Sequence, residues 1–278
     1  MLEREEYVEQ AYFFRTMRAR MKEDLPMQDA MAAVREEILT TTKLPLAIDY
    51  MVGELRHQGV FGTAMAKLDH YFTPFQSYLI GEAENEEGRF DLIVALEILE
   101  REAEFRARGD SPQCVFLYEF EALCRNRLGY DRGLRAVAGD AIFDDDWRAW
   151  IEIVARQVGI IDFADLIYVR SGHYQQQQSR LDRDEPAQPV LFGDKEGRIA
   201  RANRHRDPLL LFSALHRQLD YPQVPRPVPP DETLLVVPQL LRRVDRLERR
   251  LKLMEEEQRG GIDLARFYSS DKNKPSES

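Results

Sequence analysis

From Arg89 to Arg108 the chain carries its strongest helical pattern, and the first half of that stretch is apolar on nearly every face: Phe90, Leu92, Ile93, Ala95, Leu96, Ile98 and Leu99. A helix of this kind has no side to offer water, so it needs neighbours all round and forces the rest of the chain into a multi-helix body. Its second half is charged, and Gly109 ends it. Ser111-Pro112 then supplies an N-cap and a first-turn proline for the next helix.

The flanking sequence provides the neighbours. Tyr7, Ala11, Phe14 and Met21 fall on one face of a first helix that Pro26 stops or bends, and a second helix follows from Met27 to about Thr40. Pro45 opens a third, PLAIDYMVGELRH, and two shorter ones, near Thr63–His70 and Phe75–Glu84, flank Thr73-Pro74. Beyond the central pair, helices are expected over about Asp131–Val137 and Asp146–Val158, the second behind Asp144 and Asp145, and another from Asp162 with Phe163, Leu166 and Ile167 inward. The texture changes after Arg180. PVLFGDKEGRIARA reads as two short strands about an Asp-Lys-Glu-Gly turn, and DPLLLFSALHRQL returns to helix.

The fold class expected is therefore mainly α: a multi-helix bundle or irregular helical array, with a small β-hairpin near 189–202, followed by a C-terminal coiled-coil helix. Residues 1–220 form the helical body, with a subdivision conceivable near 109. Residues 221–230 read as a linker, because five prolines in 222–230 keep a chain stiff and extended. Residues 231–259 are the oligomerisation helix, and 260–278 are expected to be a flexible tail.

The oligomerisation reading rests on Val237, Leu240, Val244, Leu247, Leu251 and Met254, which recur at alternating spacings of three and four, the a/d seam of a coiled coil. In a parallel pair Arg243 meets Glu248 and Arg250 meets Glu255, and both pairs attract. An antiparallel pair centred on Arg250 sets that residue against its own copy. Valine at a and leucine at d also favour two strands, so a parallel homodimer is expected.

Composition restricts the partners. Residues 1–110 hold 13 basic and 22 acidic side chains, a balance of −9, which leaves −1 for the remainder of a chain whose total is −10. An acidic first part repels nucleic acid and anionic membrane, so neither is an expected partner. The expected partners are a second copy of the chain and an unidentified protein. Cys114 and Cys124, the only cysteines, lie ten residues apart on one helix, about 15 Å, too far for a disulfide. Two thiols fit a reducing compartment, and with no apolar stretch of spanning length the expected location is cytoplasmic.

Four constellations could carry chemistry. Glu54 and His57 have the Glu-x-x-His spacing of carboxylate-bridged metal bundles, but a second such pair is missing. They would need carboxylates from neighbouring helices such as Glu97 or Glu119. YVRSGHYQQQQ gathers Tyr168, Arg170, Ser171, His173 and Tyr174 without a phosphate-binding glycine loop. HYFTPF, residues 70–75, could line a pocket or turn a core corner. Arg198, Arg201, Arg204 and Arg206 lie in ten residues without an acid and could grip a phosphate backbone or an acidic partner. No catalytic or cofactor-binding set emerges, and no cofactor is expected. The expectation is a non-enzymatic interaction or scaffold protein, with a metal-dependent helical-bundle enzyme using Glu54 and His57, or binding through Arg198–Arg206, as alternatives.

Overall fold

The computed structural model describes residues 2–226 apart from 24, 86–87, 89, 110 and 181–187. Within them run α1 (Arg4–Met21), α2 (Met27–Arg35), α3 (Leu44–Gln58), α4 (Phe61–Ala66), α5 (Pro74–Ala83), α6 (Leu92–Arg108) and α7 (Pro112–Arg125). These are followed by α8 (Tyr130–Ala138), α9 (Asp145–Gln157), α10 (Phe163–Tyr168), α11 (Gly172–Arg180), α12 (Asp194–Ala202) and α13 (Pro208–Leu219). The seam residues Val237, Leu240, Val244, Leu247, Leu251 and Met254 lie outside the described residues.

The helix starts follow capping chemistry. Asp91, Ser111, Asp144, Asp162 and Asp207 each accept a hydrogen bond from a backbone N–H of the turn they open. Thr73 and Gln76 form a reciprocal capping box at α5, with proline at the first helical position. Gly59 closes α3 in the left-handed conformation at φ 73°, which costs glycine no steric strain.

The acidic face of α1 is used internally. Glu9 accepts from Leu39 N at 3.2 Å and Glu6 from Lys43 N at 2.9 Å, so two buried carboxylates satisfy the turn between α2 and α3. The most extensive helix-to-helix contact is α1 along α6. Neighbours in sequence pair as α2 with α3, α4 with α5, and α8 with α9. The α4–α5 contact is close because neither backbone carries a side chain there: a Cβ on Gly62 would sit 2.8 Å from Gly81 N. Glu84 fixes the same corner by accepting from Phe61 N and Gly62 N at 2.6 and 2.7 Å.

One apolar cluster runs from Phe13 to Val224 and crosses Gly109 without a break. Its aromatic centre is on α7. Phe116 packs edge-on to Trp150 with ring centroids 4.8 Å apart, and Phe120 meets Phe163 at 4.8 Å and Phe212 at 5.8 Å. Such pairs add about 0.5–1.5 kcal/mol each beyond the area they bury. Of the residues that make α6 interior in sequence, Phe90, Leu96 and Leu99 are buried while Ile93 is half-buried.

The structure corrects the chain after Arg180. The β-hairpin expected near 189–202 does not form. Among the described residues that segment makes a single bridge, Phe192 to Ser171, and Asp194–Ala202 is helix α12. Asp194 and Glu196 stand in its first turn, favourable against the helix dipole, and Asp194 pairs with Arg198 one turn on at 2.7 Å. Gly197 marks no turn. It lies where a Cβ would overlap the Ser171 side chain, so α12 can pass close to the start of α11.

Met1–Pro227 forms one compact unit. Tyr221 and Val224 are buried and Arg101 donates to the Gln223 carbonyl at 2.6 Å, so residues within the segment read as linker pack on the body.

Candidate functional site

The least expected feature of the interior is a group of charged side chains inside it. On α6, positions 95, 99, 102 and 106 share a face, so the apolar stripe of the first half carries Glu102 and Arg106 inward in the second. Glu119, in the middle of VFLYEFEAL on α7, is carried inward by the core residues beside it. Asp140 follows α8, and its Oδ1 accepts from Ile142 N at 3.0 Å. All four residues are buried, and the Arg106 side chain has no exposed surface.

Arg106 joins the group. Its Nε donates to Glu102 Oε1 at 2.8 Å, and one terminal nitrogen donates to Glu119 Oε1 at 3.1 Å and to Asp140 Oδ2. Glu119 Oε2 has no hydrogen-bond partner. One oxygen from each of the three carboxylates lies within 4.8 Å of the others. Burial, and after it the charge of Glu102, pushes the Glu119 carboxyl well above the usual carboxylate range, with Asp140 adding to the rise and Arg106 opposing it. Burial alone would lower the Arg106 guanidinium, but Glu102, Asp140 and Glu119 together more than reverse this, and Tyr7 of α1 adds in the same sense. The three carboxylates outnumber the guanidinium in a site removed from water, an imbalance that the raised Glu119 carboxyl relieves by favouring its protonated form.

Asp140 also lines a cavity of about 320 Å3 whose other walls include Tyr7, Gln10, Thr73 and Gln76. The HYFTPF segment supplies much of this wall: Tyr71, Phe72 and Phe75 are buried, while His70 stands exposed beside Asp69. Gln10 donates to the Tyr71 carbonyl at 3.3 Å and Tyr71 donates to Glu6 at 2.8 Å, which holds the rim to α1.

The residues singled out by sequence are distributed differently. Glu54 pairs with Lys67, and His57 is exposed at the end of α3. The structure does not bring either to the buried carboxylates. Glu97 pairs with Arg18 and Arg101. Of the carboxylates considered for a metal, Glu119 alone belongs to the buried group.

In the 168–174 segment Ser171 donates to the Tyr168 carbonyl at 2.7 Å, whereas His173 Nδ1 lies 3.0 Å from Asp194. Serine and histidine thus have separate partners. The four arginines are split as well. Arg198 is held by Asp194, and Arg204 lies 4.2 Å over the Tyr168 ring and pairs with Asp165, leaving Arg201 and Arg206 exposed. Cys114 and Cys124 are thiols, and burial pushes that of Cys124 up to about 12, which makes it a poor nucleophile.

Sequence reasoning missed Glu102, Arg106 and Asp140. The available signal was the shared face of 95, 99, 102 and 106, and the carboxylates Glu119 and Glu121 inside the apolar run of α7. Comparison with protein-family models, with characterised proteins and with solved structures returns no match.

Proposed function

We propose that this chain is a non-enzymatic interaction protein that self-associates as a parallel dimer through residues 237–254 and presents its helical body to a protein partner. The observation that carries the reading is the a/d seam with its attracting Arg243–Glu248 and Arg250–Glu255 pairs.

Features of the body agree with an interaction role. Leu46 is 73% exposed and Tyr50, one turn along α3, is 40% exposed, while Leu39 in the preceding turn is 57% exposed. Exposed large apolar side chains that gather into a patch are a common basis for protein contact. Among the described residues no helix is long and apolar enough to cross a membrane. The two thiols fit a reducing, cytoplasmic setting.

Light scattering of the full chain tests the reading. The wild type should be a dimer at concentrations on the order of tens of micromolar, where three heptads are marginal but sufficient. Leu247→Asp places an unpartnered charge in the seam and should give a monomer that keeps the thermal unfolding of the body. A wild-type monomer at that concentration, or a Leu247→Asp variant that remains a dimer, overturns it.

A further inference from the structure

We propose that Glu102, Glu119 and Asp140 form a binding site for one hard divalent cation of the magnesium, manganese or calcium class, entered from the cavity beside Asp140. Neither self-association nor the exposed face of α3 enters the argument.

The geometry supplies a donor set that fits. All three ligands are carboxylates, the donors such cations prefer, and their oxygens come within 4.8 Å of one another. Arg106 donates to the Oε1 atom of Glu119, and Oε2 is buried and without a hydrogen-bond partner. A buried carboxylate oxygen without a donor is costly to leave so, and a cation is one means of satisfying it. Arg106 is no obstacle to that arrangement. A carboxylate has two oxygens, and Glu119 can keep one on the guanidinium while giving the other to the metal.

The carboxylates outnumber the guanidinium that pairs with them, so the group attracts added positive charge, and an all-oxygen donor set selects a hard cation. Asp140 also lines the cavity, whose walls include Tyr7, Gln10, Thr73 and Gln76, so this is the side from which an ion and the waters it retains would reach the group. The ligands come from α6, from α7 and from the residue after α8, so the ion would join parts of the chain that Arg106 already holds together.

Manganese(II) is the probe, because its free aquo-ion gives a sharp paramagnetic resonance signal that binding removes. The chelator-treated full chain should remove one manganese per chain from that signal, and magnesium should compete. Glu119→Gln keeps the side-chain shape and should weaken binding at least ten-fold, and Asp140→Asn should do the same if Glu119→Gln fails to fold. His57→Ala should bind as the wild type does. Folding of each variant is followed by the fluorescence of Trp147 and Trp150, both buried in the core. A folded wild type that takes up no manganese at millimolar free metal overturns the proposal, as does a folded Glu119→Gln or Asp140→Asn variant that binds unchanged.

Discussion

Replacing Arg106 with methionine removes the guanidinium from the buried group while roughly keeping the length of the side chain. Arg106 donates to Glu102, Glu119 and Asp140, so one substitution withdraws a donor from three carboxylates. Taking one partner from a buried ionic network costs about 3–5 kcal/mol. The loss should depend on pH, and its sign is fixed by linkage. The folded wild type already holds the Glu119 carboxyl above its ordinary range, so that group contributes stability at low pH which is lost as pH rises toward its folded value. Without Arg106 the remaining carboxylates face one another unscreened, and the native state should take up at least one more proton than the unfolded chain. Each such proton steepens the decline in unfolding free energy by about 1.4 kcal/mol per pH unit over the range in which the native state holds it and the unfolded chain does not. Urea titrations in chelator-containing buffer, read by tryptophan fluorescence at about pH 5 and about pH 8, should therefore show a smaller Arg106→Met penalty at the acid end. A penalty below about 1 kcal/mol, or one of equal size at both pH values, would refute the reasoning, because a network removed at little cost is not balanced by its arginine.

Leu96 on α6 is fully buried, and Leu96→Ala should destabilise the body by about 2–5 kcal/mol in the same titrations. Cutting the chain after Arg226 should leave a cooperatively unfolding body. Cutting after Asp220 should lower the melting temperature, since it removes Tyr221, whose hydroxyl donates to Glu121 at 2.8 Å, together with buried Val224; equal melts for the two truncations would restore 221–226 to the linker.

The helices of the first 170 residues were legible because their apolar positions repeat at helical spacing and their caps are standard. Asp162 with Phe163, Leu166 and Ile167 is one case, and Ser111-Pro112 is another. The hairpin failed on a glycine. In GDKEGRIARA the two glycines and the acids resemble a turn, but Gly197 is there to admit the Ser171 side chain, a contact 26 positions away in sequence that no local pattern contains. The buried charges failed for a related reason. A charged half-helix is usually solvated, and only the arrival of α1, α7 and Asp140 against the second half of α6 makes Glu102 and Arg106 interior. Glu54 and His57 show the converse: the spacing was right for a metal, yet tertiary placement gave Glu54 to Lys67 and left His57 outside.

The ionic group also bears on the order of folding. Glu102 is one turn from Arg106 on α6, but Glu119 arrives on α7 and Asp140, 34 residues from Arg106, after α8. Full desolvation of the guanidinium is favourable only once the distant carboxylates have arrived, so the non-local part of the network should form late in folding. Substitutions at Arg106, Glu119 or Asp140 should then steepen escape from the native state while leaving the refolding limb of a chevron almost unmoved. The lifetime of the folded chain, more than the time it takes to fold, is what these three side chains should govern.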